Sequence, residues 1–108
     1  MRLVAWNCAM AFHRKLPALK TLRPDVAVIG ECASPERFAE KAGADRGLTR
    51  YFRQMEWAGT NEHKGLAVLA RNGYSLRVDP SWDAELKYIV PVHVDGVLEL
   101  RIPRRVDA

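Results

Sequence analysis

A chain of 108 residues is long enough for one domain with a small core and too short for two. Hydrophobic residues make up 48% of it and charged residues 28%, an ordinary globular composition that excludes a disordered or collagen-like chain. Its two cysteines exclude a disulfide framework, and its net charge of +4 favours an anionic partner over a cationic one.

Nothing in the sequence predicts membrane insertion or export. No apolar run approaches the roughly 20 residues that a membrane-spanning helix needs. Asn7 follows the first apolar run too early for the core of a signal peptide. We therefore expect no membrane partner and a cytoplasmic location.

The first third of the chain predicts a β-α-β unit. Residues 2–8 form a strongly apolar run, which is typical of a central strand covered on both faces. Leucines that recur every three residues predict a helix over 12–22, with Pro17 in its first turn. Residues 26–32 form the second apolar strand. A helical crossover of this length joins parallel strands, so we expect these two to pair in parallel.

The rest of the chain predicts a second helix and further strands. Ser34 and Pro35 are a typical helix start, and Gly43 is a typical stop. Apolar and alternating runs then predict five strands, at residues 51–57, 65–71, 75–78, 86–94 and 97–102.

Turn signals separate the later strands. Asn72-Gly73 and Asp95-Gly96 are typical of tight hairpin turns, and Pro91 marks its strand as an edge or irregular one. Without a linker to divide the chain, we predict a single α/β domain over residues 1–108. Its mixed sheet would combine the β-α-β unit with an antiparallel meander.

Two polar residues, Asn7 and Glu31, close the apolar runs of the β-α-β unit. Parallel strands would bring both to the same carboxyl edge of the sheet, where open α/β sheets bind ligands. A carboxylate beside an amide suggests a site for a hard cation, and such a site suggests phosphate chemistry. The alternative for Glu31 is a structural ion pair or a cap on the helix at Ser34. The alternative for Asn7 is a turn residue that satisfies its own backbone.

A polar loop at residues 58–64 precedes the strand at 65–71. If it folds over the same edge, His63 and Lys64 become partners for Glu31. The alternative is a solvated loop without a function. We interpret Cys8 and Cys32 as small buried residues, since no zinc-ligand spacing accompanies them.

Positive charge is concentrated in the first half of the chain. Residues 1–54 hold 10 Lys/Arg and 5 Asp/Glu, a net charge of +5, whereas residues 55–108 hold 7 and 8, a net charge of −1. This distribution suits a polyanion such as nucleic acid. The alternative is an arginine-rich solvated surface. The three tryptophans are interpreted as packing residues rather than as platforms for stacked bases.

Three segments in order resemble the endonuclease/exonuclease/phosphatase superfamily, which includes deoxyribonuclease I-like nucleases, abasic-site endonucleases and related phosphodiesterases. The segments are Val4-Ala5-Trp6-Asn7, Arg23-Pro24-Asp25-Val26-Ala27-Val28-Ile29-Gly30-Glu31, and Trp57-Ala58-Gly59-Thr60-Asn61 followed by Lys64-Gly65-Leu66-Ala67-Val68-Leu69-Ala70-Arg71. The resemblance extends over roughly residues 2–92.

The resemblance implies a magnesium-dependent phosphodiesterase or nuclease. Glu31 would correspond to the carboxylate that binds catalytic Mg²⁺ (or Mn²⁺), and Asn7 to the amide that lines the metal and phosphate site. Asn61, His63 and Lys64 are candidates for binding the phosphate of a phosphate ester or nucleic acid. In such enzymes the metal polarises a phosphoryl oxygen, and water attacks in line with help from a carboxylate base.

The chain departs from this family after its midpoint. The family's longer domain, a four-layer sandwich, carries later Asp-x-Asn and Asp-His motifs that this sequence lacks; His93 precedes Val94-Asp95 in the wrong order. We interpret the chain as an N-terminal half whose end is unrelated or truncated, without the general base and catalytic histidine. Three functions stay open: a weak enzyme, a non-catalytic binding or oligomerisation module, and an inactive truncated product. A lone half exposes an apolar sheet face, which predicts self-association, such as a homodimer.

Overall fold

The computed structural model describes residues 1–42, 50–83, 85 and 89–96. Two helices and six strands lie in this part of the chain. Their bounds, in chain order, are β1 (Leu3–Asn7), α1 (Phe12–Thr21), β2 (Val26–Cys32), α2 (Pro35–Ala42), β3 (Phe52–Ala58), β4 (Gly65–Arg71), β5 (Tyr74–Val78) and β6 (Val92–Gly96). Neither helix is long and apolar enough to cross a bilayer.

Four strands form a mixed sheet in the order β1-β2-β4-β3. β1 and β2 pair in parallel through the crossover helix α1, and β4 runs antiparallel to both of its neighbours. The predicted β-α-β unit and the mixed α/β class are therefore confirmed. Parallel pairing brings Asn7 opposite Gly30, next to Glu31, at one edge of the sheet.

β5 and β6 form a separate antiparallel ribbon. The Asn72-Gly73 turn precedes β5 as predicted, with Gly73 at a φ of 100°. The predicted Asp95-Gly96 turn is wrong, because both residues lie in β6, opposite Ser75 and Tyr74. A Cβ on Gly96 would lie 3.1 Å from the Tyr74 ring, so this glycine serves close packing rather than a turn.

Three other predicted boundaries concern the chain after residue 42. Of the strand predicted at 86–94, residues 86–88 lie outside the described part of the chain and residues 89–91 are not in a strand. β6 begins at Val92, directly after Pro91, which cannot donate a backbone hydrogen bond to the ladder. The predicted strand at 97–102 and the helix stop at Gly43 lie outside the described residues.

One face of the four-stranded sheet carries the main core. The helices bury Phe12, Leu16 and Phe38 over the apolar residues of β2 and β4, and the rings of Phe12 and Phe38 lie 5.4 Å apart. Cys8 and Cys32 are free and fully buried in this core, as predicted.

The prediction for Pro17 is wrong, because α1 begins at Phe12 and places the proline in the helix interior. The helix starts early enough to bury Phe12, and Pro17 lies on its exposed side. The proline removes one backbone hydrogen bond, the one that would reach the His13 carbonyl. Burial of the opposite face of the helix offsets that loss.

The opposite face of the sheet is only partly covered. The β5–β6 ribbon packs Leu76 against Val26 and Ala70. The Gln54 side chain holds this ribbon in place, because it accepts a hydrogen bond from the Leu76 N–H at 2.8 Å and donates to the Leu76 carbonyl at 2.7 Å. The ribbon therefore covers the end of the face where β2 begins.

The remaining part of that face, which we call the open face, consists of Leu3, Ala5, Val28 and Leu66. Leu3 is 57% exposed, Ala5 is exposed, and Val28 and Leu66 are half-buried. Among the strands of the described residues, β1 lies at the edge of the sheet. The prediction of a central strand covered on both faces is therefore wrong for β1, because no layer of the described chain packs on its outer side.

Candidate functional site

A β-bulge in β2 brings Glu31 to the edge of the sheet. The pairing of β2 with β4 shifts register between Ile29 and Cys32, and Glu31 adopts a φ of 50° in the left-handed region. A bulge re-aims the side chain at its centre and is common next to functional sites. The Glu31 carbonyl is fixed in turn, since it accepts a hydrogen bond from the Met10 N–H at 2.8 Å.

Asn7 contacts Glu31 directly. Its Nδ2 donates to the Glu31 Oε2 at 3.4 Å, and its Oδ1 accepts a hydrogen bond from the Ala9 N–H at 3.0 Å. The second bond fixes the orientation of the amide, because only an oxygen accepts from a backbone N–H. Asn7 therefore satisfies the backbone of its own turn, which was the structural alternative for this residue. It also contacts the Glu31 carboxylate.

Unusual backbone angles cluster beside this contact. Ala9, Met10 and Glu31 have φ values of 48°, 65° and 50°, in a region that non-glycine residues rarely adopt. Each such residue costs on the order of 1–3 kcal/mol and persists only where the surrounding structure enforces it. Glu31 and two neighbouring residues therefore share an unusual backbone conformation at this edge of the sheet.

Three of the five predicted site residues line one cavity of about 350 Å³. These are Asn7, Glu31 and Lys64, and the other lining residues are Gly30, Gly65 and Leu66. We call this space the rim cavity. It joins the ends of β1 and β2 to the start of β4, so it sits at the carboxyl edge that the sequence predicted.

The other two predicted residues, Asn61 and His63, are not among the residues that line the rim cavity. The Asn61 Oδ1 accepts a hydrogen bond from the His63 N–H at 2.9 Å, and its carbonyl accepts one from the Lys64 N–H at 3.0 Å. Both residues are exposed. Asn61 thus shapes the turn that delivers Lys64, and His63 lies in a solvated loop.

The loop that carries Lys64 is anchored to the start of α2. The Glu62 carbonyl accepts a hydrogen bond from the Ser34 N–H at 2.8 Å, and its carboxylate pairs with Arg37 at 2.7 Å. This pairing lowers the pKa of Glu62. The Ser34 hydroxyl caps α2 by accepting from the Arg37 N–H at 3.2 Å, so Glu31 is not the helix cap. No ion pair of Glu31 lies within the described part of the chain.

A tryptophan fixes the far wall of the rim cavity. The Trp57 ring packs so closely on Gly65 that a Cβ there would lie 2.4 Å from it. The indole N–H donates to the Cys32 carbonyl at 2.9 Å and ties β3 to the end of β2. The packing role predicted for this tryptophan is confirmed. The requirement for glycine at the head of β4 follows from this contact and was not evident from composition.

The oxygen atoms of the side chains at the rim cavity can be compared with what a cation requires. Glu31 offers its Oε1, for which the described residues provide no hydrogen-bond donor, whereas the Asn7 Oδ1 is engaged by Ala9. Among the described residues, no three His, Cys, Asp or Glu side chains are grouped so as to hold a metal ion. Mg²⁺ is commonly bound by one or two carboxylates, with water and substrate phosphate completing six oxygens. The donor set fits weak binding of that kind.

A second polar cluster, which the sequence alone did not reveal, lies at the end of the β5–β6 ribbon. His93 Nε2 lies 2.6 Å from Asp79 Oδ2, and the Ser81 hydroxyl and N–H donate to Asp79 Oδ1. These bonds hold the pKa of Asp79 well below its usual range. Asp79 and His93 are 14 positions apart in the sequence. They meet only because β5 pairs with β6, and no local motif signals that pairing.

Comparison with known proteins gives no assignment. No protein-family model matches the chain, and no curated protein matches it. The likeness to the endonuclease/exonuclease/phosphatase superfamily therefore depends on the three sequence segments alone.

Proposed function

We propose that the rim cavity is the cation- and phosphate-binding half of a magnesium-dependent phosphoester hydrolase of the endonuclease/exonuclease/phosphatase type, acting on a phosphodiester or nucleic acid. The observation that carries this proposal is the convergence of Asn7, Glu31 and Lys64 on one cavity. They come from three separate segments of the chain, and those are the segments that resemble the superfamily.

Each side chain has a distinct part in this proposal. Glu31 presents its Oε1 to the cation while Asn7 Nδ2 holds Oε2, so Asn7 is a positioning residue for the carboxylate. Lys64 adds a positive charge to the same cavity, which favours a phosphate anion there. A Mg²⁺ ion held by Glu31 would supply Lewis-acid polarisation of a phosphoryl oxygen at this cavity.

The rim cavity holds no second carboxylate among its described lining residues. If Glu31 binds the cation, it is not free to act as the general base that activates water. We therefore expect slow hydrolysis from an isolated copy, and faster hydrolysis wherever another chain supplies a base.

A second candidate function, self-association, is favoured by the open face. Asn7 and Gly30 line the rim cavity and lie on the same side of the sheet as Leu3 and Val28, and Leu66 belongs to both surfaces. A second copy of the chain that covers the open face would bury apolar surface. It would also bring its own side chains next to Glu31, where the base is missing.

The test of the hydrolase is release of nitrophenol from bis(p-nitrophenyl) phosphate, together with plasmid nicking, in Mg²⁺ and in chelator. We expect magnesium-dependent activity that Glu31→Gln abolishes, with Glu85→Gln as a matched control because Glu85 is an exposed carboxylate away from the rim cavity. Activity unchanged in Glu31→Gln would remove this residue from the mechanism.

A binding experiment separates the cation site from catalysis. Mn²⁺ at substoichiometric concentration broadens NMR signals near its site, and we expect broadening of the amides of residues 7–9 and 30–31. Broadening that is centred elsewhere, or that persists in Glu31→Gln, would contradict the cation site.

A further inference from the structure

A second cavity lies at the opposite end of the sheet. Its volume is about 380 Å³, and it is lined by Arg23, Asp25, Tyr51 and Arg71. β2 begins and β4 ends beside it, whereas β2 ends at the rim cavity. With about 3.3 Å per residue, the length of β2 separates the two cavities by roughly 20 Å. We call this second space the basal cavity.

Positive charge predominates around the basal cavity. The lining holds two guanidinium groups, those of Arg23 and Arg71, and one carboxylate, that of Asp25, so its net charge is positive. The Arg2 guanidinium lies near this end of the sheet and donates to the Leu22 carbonyl at 2.6 Å. Burial raises the pKa of Tyr51, whose hydroxyl donates to the Pro24 carbonyl at 2.9 Å.

The one carboxylate is already engaged and offers little repulsion to an anion. Asp25 Oδ1 accepts a hydrogen bond from Arg71 Nε, and Oδ2 accepts one from the Arg2 backbone N–H. The Asp25 side chain is only 13% exposed. Both of its oxygens therefore accept hydrogen bonds, and Arg71 compensates part of its negative charge.

Arg71 is held rigidly by its neighbours. Its Nε bonds Asp25, its Nη1 donates to the Asn72 carbonyl at 3.2 Å, and its guanidinium lies 5.2 Å from the centre of the Tyr74 ring. A guanidinium fixed on several sides loses little freedom when it binds an anion.

Arg23 occupies a position that normally belongs to glycine. It follows the last turn of α1 with a φ of 53°, and its N–H donates to the Lys20 carbonyl at 3.0 Å. Helices commonly end in this left-handed conformation, and glycine is the residue that adopts it without strain. Its side chain lines the basal cavity, and the structure records no hydrogen bond from it to the described residues.

We propose that the basal cavity binds a phosphate monoester group, at a site separate from the rim cavity. The net positive charge of the lining favours an anion of this kind. Arginine guanidinium groups bind phosphate oxygens through paired, charge-assisted hydrogen bonds. The group is either inorganic phosphate or the terminal phosphate of a nucleic acid, and both have the same recognition chemistry.

The test is an NMR titration of the ¹⁵N-labelled chain in chelator, which keeps divalent cations out of the rim cavity. The probes are inorganic phosphate, a 5′-phosphorylated oligothymidylate and the same oligonucleotide with a 5′-hydroxyl. We expect saturable shifts at the amides of residues 23–25, 51 and 71–72 with the first two probes. Tighter binding of the phosphorylated oligonucleotide than of phosphate identifies a nucleic-acid end as the source; equal binding identifies free phosphate.

Two substitutions of the same arginine make the test decisive. Arg23→Gly keeps the backbone in a conformation that glycine favours, so the fold is retained, and Arg23→Gln removes the charge alone. Both are expected to weaken binding at least tenfold. Arg14→Gln, which removes one exposed positive charge of α1, is the matched control and should leave binding within twofold.

Three results would overturn the proposal. They are shifts that centre on residues 7–9 and 30–31 instead, binding that Arg23→Gly leaves unchanged, and equal binding of the 5′-hydroxyl oligonucleotide. An equal loss in Arg14→Gln and Arg23→Gln would likewise show that net charge, rather than the basal cavity, attracts the ligand.

Discussion

Asn7 Nδ2 lies 3.4 Å from Glu31 Oε2, across the parallel pair β1 and β2. The amide faces the carboxylate with its donor end because its oxygen is engaged by the Ala9 N–H. The carboxylate is thus held from one side, and its other oxygen is directed by the bulge in β2. The contact depends on both the parallel register of β1 with β2 and the bulge in β2. Loss of either feature would move the two side chains apart.

Replacing Asn7 by aspartate tests whether this arrangement binds cations. Asn7→Asp keeps an oxygen for the Ala9 N–H and places a second negative charge beside Glu31. Without a divalent cation we expect a loss of about 1 kcal/mol in the free energy of unfolding, from repulsion between two like charges. With Mg²⁺ we expect a larger rise in the thermal midpoint than the wild type shows.

Thermal unfolding with and without Mg²⁺ measures both effects. Asp83→Asn serves as a control for a change of charge far from the rim cavity. Equal magnesium responses of wild type and Asn7→Asp would argue against cation binding at this position.

The sequence predicts the strands and the helix that carry this site better than it predicts the positions of Glu31 and Lys64. The apolar runs and Pro24 locate β1, α1 and β2 because those signals are local. The left-handed Glu31 depends on how β2 pairs with β4, and β4 lies more than 30 residues further along the chain. No local pattern encodes that pairing. The position of Lys64 likewise depends on the anchoring of its loop to α2 through Glu62.

Tertiary packing also overrides local signals. The Asp95-Gly96 pair is a strong turn signal, yet Gly96 lies in β6 against the Tyr74 ring. Pro17 favours the first turn of a helix, yet α1 extends around it to bury Phe12. In both cases the fold keeps a packing contact against a local preference, which for a proline in a helix interior is about 3 kcal/mol.

Gly65 is predicted to be the least replaceable glycine at the rim cavity. In Gly65→Ala the new Cβ would meet the Trp57 ring at 2.4 Å and the Ala58 carbonyl at 2.6 Å, so the indole must move. We expect a loss of roughly 1–3 kcal/mol in the free energy of unfolding, as for other overpacked sites.

Chemical denaturation followed by tryptophan fluorescence measures this loss. Gly30→Ala is the matched control, because its Cβ would meet Asn7 at an ordinary contact distance of 3.5 Å. A Gly65→Ala variant as stable as Gly30→Ala would mean that Trp57 is not fixed against β4.

The Asp79–His93 pair predicts an acid-sensitive ribbon. The pKa of Asp79 is lowered in the folded chain by Ser81 and His93, whereas an unfolded aspartate titrates near about 3.9. The stability that this carboxylate contributes is therefore present above about pH 4. It is lost as the pH falls toward the lower folded pKa, because the unfolded state then binds the proton more readily.

Hydrogen exchange of the β5 and β6 amides measured between pH 3 and pH 6, and corrected for intrinsic rates, reports this loss. We expect Asp79→Asn to expose the ribbon already at pH 6 and to remove its pH dependence. Asp95→Asn, on the same ribbon, should keep the wild-type profile. A profile unchanged by Asp79→Asn would show that other carboxylates control acid opening.

The open face predicts self-association, and Leu3 is its most exposed large side chain. Leu3 is 57% exposed, on an edge strand whose outer backbone has no partner within the described chain. We expect the wild type to sediment with a weight-average mass that rises with concentration. Leu3→Lys should shift it toward the monomer, because burying a lysine in an apolar contact is costly. Ile89→Lys changes a side chain that is 58% exposed but lies away from the open face, so it should associate like the wild type.

If a second copy supplies the missing base, nitrophenol release should fall in parallel with the dimer fraction in Leu3→Lys and stay at the wild-type level in Ile89→Lys. A wild type that remains monomeric at high concentration, or activity that is independent of concentration, would contradict the assembly.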